Sequence, residues 1–393
     1  MFANLSRARK WITRMGAIAA LMLLAACDTD ILGQLGQFGK APGVSPDKPV
    51  RVALLLPQSD ETAGPIAKSL ENAARLAIAD LQGVTIEMTV FDTAGQATQA
   101  AAAAQAAADS GAQIILGPFY AESANAAGRA VADEGLNVLS FSNNTSIAGG
   151  NVFVMGPTFQ NTAERLLAFA QVQNRGATVV VHPDSVVGKF SRDAVQAAAT
   201  NVGAQVVSTV GYPETVEGVA KTAQSVSSTV RSANAKSLFI TTDASNGAMP
   251  LLLQLLPENG VDPKQIQILG LTQWDVRPDL FTYPGAQNAW FALPDQASLG
   301  AFAARYSTAY ETGPHPRAGL AYDGIVAIGA LVLSGRRDAL STEALTQPAG
   351  FRGASGVFRL KADGTNQRGL AIAAVIDEQM VILEPAPTSF GGS

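Results

Sequence analysis

Short apolar runs alternate along the chain with segments whose apolar residues recur at helical spacing. The run RVALLLP (51–57) is continuously apolar, as expected of a strand buried on both faces of a parallel sheet. After it, Gly64-Pro65 opens a segment with apolar residues every three or four positions, which predicts a helix with one buried face. The alternation continues with predicted strands at 85–92, 113–118 and 136–142 and predicted helices at 97–111 and 121–134. This order predicts a parallel sheet with helices on both faces.

A second unit repeats this pattern. Its predicted strands lie at 177–183, 204–212, 237–243 and 266–272, and its predicted helices at 189–201, 215–232 and 247–258. After this unit we predict a strand at 288–294 and helices at 296–311 and 318–333. The tail differs, because GVFRLKADGTNQRGLAIAAVID reads as antiparallel strands around a turn at Asp363-Gly364. We therefore predict an α/β fold with two doubly wound parallel-sheet lobes.

The N-terminus has the features of a secretory signal peptide. An apolar stretch from Met15 to Ala26 has 12 residues and follows four cations, which are Arg7, Arg9, Lys10 and Arg14. A membrane-spanning helix needs about 20 apolar residues, so this stretch is too short to span a bilayer. Its end, Leu24-Ala25-Ala26-Cys27, resembles the bacterial lipobox. We predict that residues 1–26 are removed and that Cys27, the only cysteine, carries a lipid.

Composition limits what the mature chain can do. Removal of the four N-terminal cations leaves 23 Lys and Arg against 32 Asp and Glu, a net charge of −9, which argues against nucleic-acid binding. We predict a flexible Gly/Pro/Gln-rich tether at 27–49 and a disordered tail at 386–393. His182 and His315 are the only histidines and stand in no metal-ligand motif, and no hydrolase elbow or P-loop is present. We therefore expect no metal, no cofactor and no enzymatic activity.

Four stretches together resemble the type I periplasmic binding protein family, in its branched-chain amino-acid receptor branch. They are VALLLPQSDETAGPIAKSLENAARLAIAD (52–80), GAQIILGPFYAESANAAGRAVADEGLNVLSFSNN (111–144), RAGLAYDGIVAIGALV (317–332) and GASGVFRLKADGTNQRGLAIAAV (353–375). The resemblance implies two lobes, three crossovers and a ligand cleft between the lobes. It places lobe 1 at 50–157 plus 286–345 and lobe 2 at 158–285 plus 346–385. The implied hinges lie near Gly156-Pro157, Tyr283-Pro284-Gly285 and Ala349-Gly350.

Ligands of open α/β sheets bind beyond the carboxyl ends of the strands, which gives the candidate cleft residues. They are Gln58, Tyr120, Glu122, Ser123, Ser140, Ser142, Asn143, Asp243, Gln273 and Trp274. The resemblance implies a Ser or Thr for a ligand carboxylate where this chain has Ala121 and Glu122, so we expect no tight binding of branched-chain amino acids. Trp274 is either a cleft aromatic or a loop side chain that packs between the lobes.

A second resemblance concerns the partner. LGLTQWD (269–275), MGPTFQNTAERLLAFA (155–170) and the stretch 290–324 look like the penicillin-binding protein activator branch, whose lipoproteins contact a peptidoglycan synthase. We place an activator-like regulator of peptidoglycan synthesis first. The alternative is the substrate-binding receptor of an ABC transporter for amino acids or another small polar solute, with an ABC permease as partner. Either role implies a periplasmic protein that is lipid-anchored to the inner or the outer membrane.

Overall fold

The computed structural model describes residues 40–45 and 47–390. The strands in this part of the chain are β1 (Val50–Leu56), β2 (Ile86–Asp92), β3 (Ile114–Leu116), β4 (Val138–Ser140), β5 (Val152–Val154), β6 (Ala177–Pro183), β7 (Gln205–Tyr212), β8 (Ser237–Ile240), β9 (Gln267–Gly270), β10 (Trp290–Leu293), β11 (Phe351–Gly353), β12 (Gly356–Leu360), β13 (Asn366–Arg368), β14 (Ala371–Ile376) and β15 (Gln379–Glu384). The helices are α1 (Gly64–Asp80), α2 (Ala97–Asp109), α3 (Ala121–Ala130), α4 (Phe159–Val172), α5 (Val186–Val202), α6 (Val216–Ser232), α7 (Ala248–Glu258), α8 (Gln296–Tyr310), α9 (Gly319–Leu333) and α10 (Thr342–Leu345).

The first sheet has five parallel strands in the order β2-β1-β3-β4-β5. Alternate residues of β1 enter different cores. Leu54 and Leu56 join a cluster with α1 and α9, whereas Ala53 and Leu55 join a cluster with α2 and α3. Side chains of a strand point alternately to the two faces of a sheet, so helices cover both faces. The predicted α/β fold is confirmed in this lobe.

The second sheet has seven strands in the order β15-β14-β10-β9-β8-β6-β7. The pairings from β7 to β10 are parallel, and β14 and β15 are antiparallel additions. Val179 and Val181 of β6 pack with α6 and α7, while Val180 packs with α4 and α5 on the other face. This sheet with its helices forms the second lobe, and the predicted repeat of the α/β unit is confirmed.

A third, small antiparallel sheet consists of β11, β12 and β13. The predicted turn at Asp363-Gly364 connects β12 to β13, where Gly364 has a φ of +79° and the Asp363 carboxylate accepts the Thr365 N–H at 2.9 Å. Phe351 and Phe358 of this sheet belong to the first-lobe core. Residues 351–368 therefore pack on lobe 1, and their predicted place in lobe 2 is wrong.

Three crossovers join the lobes, at residues 155–158, 294–295 and 369–370. The first crossover includes the predicted hinge at Gly156-Pro157. It joins β5 to α4, two elements that the apolar pattern of the sequence did not predict. The other two predicted hinges lie within single lobes. Trp290 of β10 pairs with Leu269 of β9 in the second sheet, so the chain leaves lobe 2 after residue 293 and not near 285.

Both ends of the described chain pack on the body. Val44 is buried in the first-lobe core, and its N–H donates to the Arg337 carbonyl at 2.9 Å, so the predicted flexible tether ends before residue 49. At the other end, Ala386 is buried, and the Arg359 guanidinium lies 4.9 Å from the ring centre of Phe390. The tail is therefore ordered as far as residue 390. Cys27 and the predicted signal peptide lie outside the described residues.

Candidate functional site

Arg368 of β13 connects two of the crossovers and lies between the lobes. Its buried guanidinium donates to the Met155 carbonyl at 3.2 and 2.6 Å, to the Asp323 carboxylate at 2.9 Å and to the Ser355 hydroxyl at 3.0 Å. Nearby, the Asn366 side chain donates to the Val154 and Gly156 carbonyls at 2.9 and 2.8 Å. The first and third crossovers are therefore held together by hydrogen bonds on the first-lobe side.

Asp323 of α9 is the acidic partner of this arginine. Burial raises the pKa of the Asp323 carboxyl, while the Arg368 guanidinium and the Ala354 N–H, which donates at 2.7 Å, act in the opposite direction. The carboxylate thus fixes β11 and β13 to α9. A buried ion pair of this kind is stable only because hydrogen bonds satisfy its remaining polar atoms.

A cavity of about 610 Å³ lies next to this pair, between the lobes. The first lobe contributes Asn143, Gln296, Leu299, Phe302, Ala303, Pro314, His315, Pro316, Arg317, Gly319, Leu320, Ala354 and Ser355. The second lobe contributes Phe159, Thr162, Leu271, Thr272, Gln273, Asp275, Val276 and Ala292. Arg368 of β13 and the crossover residues Pro157, Thr158, Pro294 and Leu370 complete the lining. Its volume is within the range of about 300–1,000 Å³ that is usual for small-molecule sites, and it is mainly apolar with a few polar groups.

Asp275 is the one acidic residue among those that line the cavity. It follows β9, it is half-buried, and its Oδ1 atom has no hydrogen-bond partner among the described residues. Burial raises the pKa of the Asp275 carboxyl. The nearest basic residue in sequence, Arg277, forms an ion pair with Asp279 at 2.6 Å instead. The cavity is therefore lined by a carboxylate that no cation of residues 40–45 and 47–390 neutralises.

Two basic residues of the first lobe complete the polar lining. The His315 Nδ1 atom accepts the Arg317 N–H at 3.2 Å, and burial, together with the Arg317 charge, lowers the pKa of His315. The Arg317 guanidinium is exposed and lies 5.5 Å from the ring centre of Phe119. The histidine is therefore neutral near pH 7, and Arg317 is the cation that could meet an anionic group.

The cavity contains two of the predicted cleft residues, Asn143 and Gln273. Three of the serines are buried away from it. The Ser140 hydroxyl donates to the Pro118 carbonyl at 3.1 Å, the Ser142 hydroxyl accepts the Asn144 N–H at 3.1 Å, and Ser123 lies in the first turn of α3. The hydroxyls of Ser140 and Ser142 thus form hydrogen bonds with nearby backbone groups. A ligand role for the three serines stays a prediction.

Four other predicted residues lie outside the cavity lining. Gln58 and Glu122 are exposed, Tyr120 packs edge-on against Phe119 with ring centres 5.2 Å apart, and Asp243 is exposed and accepts the Ser245 N–H at 2.8 Å. Burial raises the pKa of the Tyr120 hydroxyl, with a further contribution from the charge of Asp60. Whether these residues reach a ligand also stays a prediction.

Trp274 belongs to the second-lobe core. It is completely buried and stacks on Phe291 with ring centres 6.0 Å apart and an interplanar angle of 19°. Its ring covers Gly270, where a Cβ atom would lie only 2.5 Å from Nε1. A buried ring cannot stack on a ligand, so the cleft-aromatic interpretation is wrong. The side chain also packs within one lobe and not between two.

The sequence interpretation missed Asp275, Arg317 and Ser355 as cavity residues. Asp275 had a usable signal, because it directly follows the Trp of LGLTQWD at a predicted strand end. Arg317 and Ser355 enter the cavity only through tertiary packing of α9 and the third sheet. Among residues 40–45 and 47–390, no group of three or more His, Cys, Asp or Glu could hold a metal ion, and no helix is long and apolar enough to cross a membrane.

Comparisons with known proteins agree with this architecture. The sequence model of a family described as periplasmic binding protein matches residues 49–379. A Rhodospirillum rubrum protein assigned as a branched-chain amino acid ABC transporter superposes with a TM-score of 0.71 at 18% identity, over 86% of this chain and 100% of that chain.

Two further solved structures are similar. A branched-chain amino acid ABC transporter periplasmic ligand-binding protein from Burkholderia xenovorans gives a TM-score of 0.63 at 17% identity, over 87% of this chain and 95% of that chain. An ABC transporter substrate-binding protein from Desulfitobacterium hafniense, in complex with Leu, gives 0.58 at 17% identity, over 86% and 100%. At these identities the likeness shows the fold. The search of curated proteins gave no match.

Proposed function

Because the chain belongs to the periplasmic binding protein family, we propose that it captures a small solute between its lobes and delivers it to an ABC permease. The observation that carries this proposal is the cavity of about 610 Å³, which both lobes and all three crossovers line. A solute held there touches both lobes at once, so binding energy is available to favour one interlobe arrangement over another.

The fold comparisons support the receptor over the activator. The solved structures that resemble this chain include substrate-binding proteins of ABC transporters, among them one in complex with Leu and one in complex with benzoate. The sequence alone placed the penicillin-binding protein activator first, on local resemblances such as LGLTQWD. The similar structures named above are ABC transporter proteins and not activators, and family membership implies a periplasmic location.

Solute-driven closure is the direct test of a receptor. Spin labels on Glu61→Cys and Lys189→Cys place one probe on the exposed rim of each lobe. We expect a cognate solute to shorten the distance between them, because it must contact both walls of the cavity. A matched control pair within lobe 1, on Glu61→Cys and Asn125→Cys, should keep its distance. A sample with Cys27 alone reports the background, since Cys27 is the only native cysteine.

The partner is tested separately, by cross-linking the full chain in membranes and identifying the captured protein. Recovery of an ABC permease supports the proposal. Recovery of a peptidoglycan synthase, together with an interlobe distance that no solute in a broad metabolite panel changes, would return the activator to first place.

A further inference from the structure

The chemistry of the cavity limits which solutes fit, and the argument rests on the proposed receptor function. Asp275 lines the wall on the second-lobe side, half-buried and without a hydrogen-bond partner for Oδ1 among the described residues. A carboxylate removed from water and left unpaired is costly, so it either takes up a proton or receives a cation. The raised pKa of Asp275 is consistent with a group that lacks such a partner.

Among the described residues, no arginine or lysine forms a salt bridge with Asp275. Arg277 pairs with Asp279 at 2.6 Å, and Arg368 pairs with Asp323 at 2.9 Å while it also donates to the Met155 carbonyl. Arg317 is exposed and lies over the ring of Phe119 on the first-lobe side. The positive charge that would complete Asp275 must therefore come from the bound molecule.

Apolar groups form most of the remaining surface. Phe159, Leu271 and Val276 line the second-lobe side, and Leu299 and Phe302 line the first-lobe side. Such walls favour a hydrocarbon body, because burial of apolar surface is the main source of binding free energy. An ammonium group at one end of an apolar body matches this pattern.

The residues that the sequence suggests as partners of a ligand carboxylate do not fill that role. Glu122 is exposed and would repel an anion, and the hydroxyls of Ser140 and Ser142 are already bonded to the Pro118 carbonyl and the Asn144 N–H. None of the three lines the cavity. The exposed Arg317 is the remaining unpaired cation there, and water screens it.

We propose that the solute is an amine without a carboxylate, which carries its ammonium group to Asp275 and its hydrocarbon body between the two apolar walls. This assignment distinguishes the site from one for zwitterionic amino acids. The Asp275 carboxylate is then the single group that decides specificity. A ligand carboxylate would meet neutral donors such as Asn143 and Gln273 and the Arg317 guanidinium, which water screens, so its removal from water would cost more than these contacts regain.

Matched pairs of compounds that differ only in the carboxylate test this proposal. The pairs are isoamylamine and leucine, phenethylamine and phenylalanine, and cadaverine and lysine, each titrated by calorimetry into the full-length protein in detergent. We expect at least one amine to bind at least 10-fold more tightly than its amino acid. Asp275→Asn should weaken that amine by about 10- to 150-fold, the usual effect of one charge-assisted hydrogen bond.

The control is Asp377→Asn, which removes an exposed carboxylate in the turn between β14 and β15 of the same lobe, outside the cavity lining, and should leave amine affinity unchanged. Equal or tighter binding of the amino acids, unchanged affinity in Asp275→Asn, or no binding of any amine would each overturn the inference. Interlobe closure with a neutral or anionic solute such as benzoate would keep the receptor function and refute the amine assignment. The receptor function and the amine assignment can therefore be refuted independently of each other.

Discussion

The guanidinium of Arg368 and the carboxylate of Asp323 lie 2.9 Å apart, and both side chains are buried, with exposed fractions of 4% and 1%. Arg368 belongs to β13, directly before the third crossover, and it also donates to Met155 in the first crossover. One ion pair thus joins α9 to two of the connections between the lobes. Its integrity should decide how firmly the crossovers are held.

Breaking this pair should destabilise the protein strongly. Asp323→Ala leaves the Arg368 guanidinium buried and uncompensated, and we expect the free energy of unfolding to fall by about 3–5 kcal/mol. Equilibrium unfolding in urea measures this loss of stability. The matched control is Asp338→Ala, whose partner Arg336 lies 2.9 Å away with both side chains 51% exposed, and which should cost at most about 1 kcal/mol. Similar losses in the two variants would contradict the role we give to the buried pair.

Asp275→Asn should stabilise the ligand-free protein in a pH-dependent way. Burial raises the folded-state pKa of Asp275 above its usual value of 3.8, so its ionised form opposes folding. The penalty is present above the folded pKa and disappears below the unfolded pKa, where both states are protonated. Melting temperatures measured from pH 7 to pH 3 should show a gain for the variant at pH 7 that shrinks on acidification. A gain that does not change with pH would argue against a desolvated carboxylate.

Two glycines should respond to alanine in opposite directions. A Cβ on Gly270 would meet Trp274 at 2.5 Å, so Gly270→Ala should cost about 1–3 kcal/mol and alter the near-ultraviolet circular dichroism of the displaced ring. Gly300 lies inside α8, with open space where its Cβ would be. Gly300→Ala should instead stabilise by about 0.5–1 kcal/mol, because alanine favours the helix. Destabilisation of both variants would mean that steric contact with Trp274 is not the cause.

Cys27→Ser should prevent lipid attachment. The predicted lipobox ends at this residue, and the sequence contains no other cysteine. We expect the variant to be uncleaved or to leave the membrane fraction without detergent, and mass spectrometry of the wild type should show acyl groups on residue 27. A variant that is still cut before residue 27 and still sediments with membranes would refute the lipidation.

The sequence by itself determined the alternation of strands and helices. RVALLLP was recognisable as a buried strand because its continuous apolar run requires cover on both faces, and the structure places Leu54 and Leu55 in two different cores. The Asp363-Gly364 turn was equally predictable, since an Asp-Gly pair between two apolar segments is a local signal, and Gly364 has the positive φ that such a turn requires. These features depend on neighbours within a few residues, which a sequence displays directly.

The tertiary structure decided which sheet each strand joins and what each polar side chain meets. β10 pairs in the second sheet, and β11 to β13 pack on the first lobe, although no local pattern distinguishes these choices. Trp274 and Asp275 are adjacent in sequence, yet one lies in the core and the other on the cavity wall. Partners 45 residues apart, such as Asp323 and Arg368, meet only when the third sheet packs on α9. The free energy of such contacts depends on how deeply the partners are buried. Burial is set by tertiary packing and cannot be read from the order of residues.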